Sequence, residues 1–106
     1  MMAVSRYYIA SDQIQRDEGG LKFFVKKTFS PPIYDQGKTV DETLTIWWVG
    51  CRNDQYKLGP TFEYRNGQQI GVQSGTHSWT SIQRNTGIPI VENRNRAFDF
   101  VCHSSR

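Results

Sequence analysis

The segment 43–51 constrains this chain more than any other. It reads Thr-Leu-Thr-Ile-Trp-Trp-Val-Gly-Cys, and β-branched and aromatic residues of this kind favour a pleated, half-buried surface. Its apolar run, Ile46-Trp47-Trp48-Val49, is strand-sized and far short of the roughly 18 residues that cross a membrane as a helix. A strand apolar on both sides is a central strand. Side chains alternate across a sheet, so Trp47 and Trp48 point to opposite faces and each face needs a cover. If a helix supplies one cover, a loop or a partner subunit must supply the other.

The flanking segments have the same character. Tyr7 and Ile9 share one side of a short strand over residues 6–10, with Tyr8 on the other. Ser11-Asp12 opens a turn that Asp17-Glu18-Gly19-Gly20 closes. Leu21, Phe23 and Val25 then alternate with Lys22 and Lys26, and Phe24 interrupts the polar face. Proline removes a ladder donor, so Ser30-Pro31-Pro32 is expected to end this strand, and residues 34–38 read as an exposed loop, the longest expected. In residues 56–65, Leu58, Phe62 and Tyr64 fall on one face. Asn66-Gly67 is the strongest hairpin signal in the chain, and residues 68–74 return as another strand. Gly75-Thr76-His77-Ser78 is a loop, followed by Trp79 and Ile82 as apolar anchors in a connection without an assigned element.

After Pro89 the period changes. Val91, Ala97, Phe98, Val101 and Cys102 gather largely on one side of a helix, while Glu92, Arg96 and Asp99 fall elsewhere. Proline suits a first helical turn, and Glu92 near that end suits the helix dipole. The competing reading is a final strand over residues 97–102. The expected class is α+β, a single antiparallel sheet of about five to six strands in meander order with a C-terminal helix on one face. With 106 residues, 37% of them hydrophobic, the chain builds one core, so residues 1–106 read as a single domain.

Charge excludes little. Thirteen Lys plus Arg against ten Asp plus Glu give a net charge of +3, interspersed along the chain, which is weak footing for nucleic acid. The two cysteines carry more. Cys51 ends the most apolar segment and Cys102 lies on the apolar side of the last element, so the two can meet and bond, or pack as buried thiols. A bond closing a loop of roughly 50 residues contributes about 4 kcal/mol and implies an oxidising compartment.

The order of short motifs resembles the surface-adhesin protein E family of bacteria. Tyr7-Tyr8-Ile9 and a turn holding Ile14 and Gly19-Gly20 come first. Gly50-Cys51-Arg52, Tyr56-Lys57-Leu58 and Tyr64-Arg65-Asn66-Gly67 follow, then Trp79-Thr80-Ser81-Ile82 and Phe98-Asp99-Phe100-Val101-Cys102. The resemblance implies an antiparallel sheet with a C-terminal helix tethered by a Cys51–Cys102 disulfide, export to the periplasm or cell surface, and a non-catalytic binding or adhesion role. Residues 88–96 form a longer stretch than the family pattern has. The first six residues lack the basic and apolar regions of a signal peptide. Either the protein is cytoplasmic or its leader has been removed, and the resemblance favours removal.

No catalytic set emerges. His77 sits in a loop and His103 near the end, neither in a nucleophile–base arrangement. Cys51, His77, Cys102 and His103 lack the paired spacing of a zinc site, and no glycine run fits a phosphate loop. No cofactor is expected. Two other functions compete. Tyr7, Tyr8, Phe23, Phe24, Trp47 and Trp48 beside Arg6, Lys22, Lys26 and Lys27 would suit a cytoplasmic sheet that stacks nucleic-acid bases, although the RNP1 pattern is missing. A dimeric protein–protein module would use the second sheet face or an open edge. Trp47, Arg84, Arg94 and Arg96, together with Arg106, are the candidates for a partner or ligand face.

Overall fold

In the computed structural model, residues 4–104 are described. Their order is β1 (Val4–Ile9), a 3-10 turn (Ser11–Gln13), β2 (Gln15–Asp17), β3 (Gly20–Asp35), β4 (Lys38–Gly50), β5 (Gln55–Arg65), β6 (Gln68–Gln73), β7 (Thr80–Ser81) and helix α1 (Pro89–Ser104). All strand pairs are antiparallel, in the order β1-β3-β4-β5-β6, with β2 also on β3 and β7 also on β5. The sheet is thus seven strands but five wide. Each edge consists of two short strands laid end to end: β1 and β2 along β3, β6 and β7 along β5. β2 and β7, of three and two residues, are too short to show a period, which is why about five to six strands are legible in the sequence.

Three hairpins turn on the same backbone device. Glu18-Gly19, Gln36-Gly37 and Asn66-Gly67 all take positive φ at both positions (51° and 79°, 49° and 78°, 52° and 80°), the requirement of a two-residue turn whose twist matches the strands it joins. Only Asn66-Gly67 advertises this in its side chains. Residues 34–38 are therefore a strand-and-turn segment rather than the longest loop, which instead lies within residues 74–88, interrupted only by β7. Nor do Pro31 and Pro32 end β3. Between the pairs Thr28↔Glu42 and Ile33↔Val40, residues 29–32 of β3 face the single residue Asp41 of β4, and such a bulge tolerates proline because no ladder donor is needed there.

The bulge also redirects the end of the β3–β4 hairpin. The β4–β5 register stops at Glu42↔Tyr64, so a straight β4 would carry Lys38 well beyond Glu63. Yet Lys38 Nζ lies 2.6 Å from Glu63 Oε1, and Gln73 Nε2 donates to both Glu63 Oε2 (3.2 Å) and Asp35 Oδ2 (3.3 Å). The hairpin end is bent over β5 and β6, and it satisfies the carboxylate of Glu63, a residue 2% exposed.

The main core lies between sheet and helix. Phe23, Val25, Trp47 and Val49 pack with Phe98 and Val101 of α1, and Ile9, Ile14, Leu21, Tyr56, Leu58, Ile82 and Cys102 surround them. The terminal segment is a helix, as its spacing of Phe98, Val101 and Cys102 requires. Its start is tied down by Glu92, whose Oε1 accepts from both the backbone N–H and the hydroxyl of Thr86. The buried Asn95 donates to the carbonyl of Gln83 at 2.7 Å. Cys51 lies just past the end of β4, in an exposed turn, and is bonded to Cys102 with Cα atoms 5.8 Å apart. That bond fastens the last turns of α1 to the end of the central strand. Among the described residues no helix is long and apolar enough to cross a membrane.

Candidate functional site

Trp47 and Trp48 occupy opposite faces, and each has a cover from the same chain. Trp47, 9% exposed, lies under α1 with its ring 5.9 Å from Phe23 and 6.0 Å from Tyr56. Trp48, 5% exposed, is covered by the segment after β6. The His77 ring stands edge-on to it at 5.2 Å, held by a bond from the His77 N–H to the Leu58 carbonyl. The Lys57 ammonium sits 4.7 Å from the Trp48 ring and 5.0 Å from that of Trp79, paired with Glu18 at 2.7 Å. Trp48 Nε1 donates to Asp17 at 3.2 Å. A loop of the same chain covers the second tryptophan of the pair.

The predicted arginines do not form one patch. Arg84 makes a bidentate pair with Asp99 (3.0 and 2.8 Å). Its hydrogen bonds hold the Asp99 carboxyl below the ordinary carboxylate range, against an opposing push from burial. Arg94 donates to the Tyr56 hydroxyl at 2.8 Å and covers that ring. Arg96 is exposed, bonded to Asn93 at 3.3 Å. Two residues apart on a helix, Arg94 and Arg96 point about 200° from each other. Arg106 lies outside the described residues. Trp47 packs in the core under α1.

The stacking platform is likewise dispersed. Phe23, Trp47 and Trp48 are buried, while Lys22 sits over Phe24 and Trp48, Lys26 over Tyr8, and Lys27 over Tyr7 and Phe29. Lys26 also pairs with Glu42 at 3.4 Å. Both cysteines are consumed by the disulfide, so neither is available as a thiolate beside His103.

What the fold does assemble is a cleft of about 540 Å³ between β1 and α1. One wall is Tyr7, Tyr8 and Ile9, the floor Val25, and the other wall Asn93, Arg96, Ala97 and Phe100. The helix residues fall at i, i+3, i+4 and i+7, a single face. Tyr7 and Phe100 are 51% and 44% exposed, an aromatic pair across the cleft, while the Tyr8 ring lies under Lys26 on the other face of the strand. β1 pairs with β3 on one side, and no described residue pairs with its other side. The cleft thus opens along a row of unpaired main-chain N–H and C=O groups. No acidic residue lines it, and cations stand at its wall (Arg96) and at Tyr7 (Lys27 Nζ, 5.0 Å from the ring). A larger depression, about 890 Å³, runs beside the disulfide, lined by Arg16, Asp17 and Arg52 among main chain from Gly19, Gly20 and Gly50. It has no comparable strand edge of aromatic residues.

Of the cleft's far wall, sequence reasoning named Arg96 and missed Phe100. Phe100 stands off the Phe98–Val101 stripe, and an aromatic residue outside the core-facing side of a helix was the available signal. Set against known protein families, curated proteins and solved structures, the chain matches none of them.

Proposed function

We propose that this chain is a non-catalytic binding domain of an oxidising compartment, the periplasm or cell surface. Its role is of the adhesion type implied by the resemblance to surface-adhesin protein E. It holds a partner protein by taking an extended segment of that protein as an added strand on β1. The observation that carries this proposal is the coincidence of an open strand edge with an aromatic-walled cleft. In strand addition the main chain supplies affinity, and pockets for alternate side chains supply selectivity. Side chains of the incoming strand that face the helix enter between Tyr7, Ile9, Ala97 and Phe100. The cations Arg96 and Lys27, with no acid in the lining, favour acidic residues in the segment. The Cys51–Cys102 bond supports the compartment, since such bonds persist where thiols are oxidised.

A fluorescein-labelled peptide of the repeat Val-Thr-Glu-Thr, which puts valine and glutamate on the same strand face, tests the proposal by anisotropy. The expected dissociation constant is on the order of 10 to 100 µM, as suits a small one-strand interface. Phe100→Asp, at an exposed position, weakens it at least tenfold. The proposal fails if a block-scrambled peptide binds equally well, if Phe100→Asp binds as well as the parent protein, or if a single-stranded oligonucleotide displaces the peptide.

A further inference from the structure

The opposite edge of the sheet differs in kind. β6 reads Gln-Gln-Ile-Gly-Val-Gln, without a charge or a proline, and it pairs with β5 on one side alone among the described residues. Ile70 is 38% and Val72 57% exposed. Natural edge strands guard against pairing with other chains by carrying lysine, other charges or proline. β6 itself has none of these, and the charge nearest it, Lys38 beside Gly71, is neutralised by Glu63, whereas β1 at the other edge carries Arg6 and lies beside Lys26 and Lys27. Apolar character continues inward from β6, because Val72 lies opposite Phe62 and Phe62 opposite Leu44. By alternation along β4 this row shares the face of Trp48, away from α1.

We infer that two copies of this chain associate through β6, pairing antiparallel about a two-fold axis. A neutral edge pairs with itself without charge repulsion, which argues for a second copy over a charged partner. With Gly71 on the axis, Ile70 of each copy lies opposite Val72 of the other, and the Val72–Phe62–Leu44 rows of the two copies join on one face. Ile70 is also the extra residue of a bulge, between the pairs Glu63↔Gly71 and Tyr64↔Gln69. Bulges add twist and limit open-ended stacking, and a two-fold pair consumes both β6 edges, so association stops at two. The contact is smaller than a standard interface, which sets a dissociation constant on the order of 100 µM. The β1 cleft lies at the other edge and plays no part.

Sedimentation velocity from on the order of 10 µM to 1 mM, a range bracketing that constant, reads the association directly. The mass is expected to climb from one chain towards two and to level there. Val72→Lys, which places two like charges beside the axis at an exposed position, is expected to stay at one chain throughout with an unchanged melting temperature. Phe100→Asp, altered in the cleft, is expected to associate as the parent does, which separates this inference from the peptide-binding proposal. A parent protein still at one chain at the highest concentration overturns the inference. So does Val72→Lys associating over the same range, or a mass that passes two without levelling.

Discussion

Replacing both Cys51 and Cys102 by alanine removes the bond that joins the end of β4 to the last turns of α1. The bond spans 51 residues, and the chain entropy it withholds from the unfolded state works out at about 4 kcal/mol. Little should be lost from the folded state. Cys51 is exposed and Cys102 half-buried, so the alanines leave no large cavity, and Phe98 and Val101 still bury α1 against Phe23, Trp47 and Val49. Far-ultraviolet circular dichroism is therefore expected to be unchanged. Urea unfolding followed by tryptophan fluorescence is expected to show a midpoint lower by about 2 to 3 M, taking a slope of about 1.5 kcal/mol/M for a chain of this size. The slope itself should rise, because an unfolded chain freed of its cross-link exposes more surface. In the parent, alkylation under denaturing, non-reducing conditions is expected to find no free thiol. A double variant losing under about 1 kcal/mol with an unaltered slope would refute the entropic account. Loss of the native dichroism would instead show that α1 is held mainly by the bond.

Two further predictions test local contacts. Asp99 has its folded pKa depressed by Arg84 below the ordinary 3.8, so the pair's contribution is present above that value and fades as pH falls through the folded one. Asp99→Asn should flatten this part of the acid limb in urea midpoints measured between about pH 2 and 6. At neutral pH it should cost only about 0.5 kcal/mol, since both partners are nearly half exposed. At Gly59 an added Cβ would lie 2.7 Å from the Trp48 ring and 3.2 Å from the Ile46 carbonyl, so Gly59→Ala is expected to cost about 1 to 3 kcal/mol by overpacking and to shift tryptophan emission. Gly67→Ala, with nothing within 4 Å but φ at +80°, should cost about 1 kcal/mol through the backbone and leave emission unchanged. A neutral Gly59→Ala would show that the Trp48 cover is loosely packed.

By itself the sequence determined the features whose causes lie within a few residues of one another. The alternation of Leu21, Phe23 and Val25 and the Thr-Leu-Thr-Ile-Trp-Trp-Val run specify β3 and β4. Asn66-Gly67 specifies the β5–β6 hairpin, and the changed period after Pro89 specifies α1. Tertiary structure alone decided what depends on residues far apart in the chain. Pro31 and Pro32 read as a strand end because a proline removes a local donor, yet a bulge against Asp41 lets β3 continue. Glu18-Gly19 and Gln36-Gly37 turn as tightly as Asn66-Gly67, but Glu and Gln are held at positive φ by the strands they join rather than by preference. Trp48 is covered by His77, 29 positions on, and Glu63 is neutralised by Lys38 from a bent hairpin, pairings with no periodic trace. The cleft is of the same kind. Tyr7 and Phe100 stand at opposite ends of the chain, and only the packing of α1 across β3 brings their rings to the two walls of one cleft. Periodicity records which way a side chain points from its own backbone, and the fold decides what it finds there.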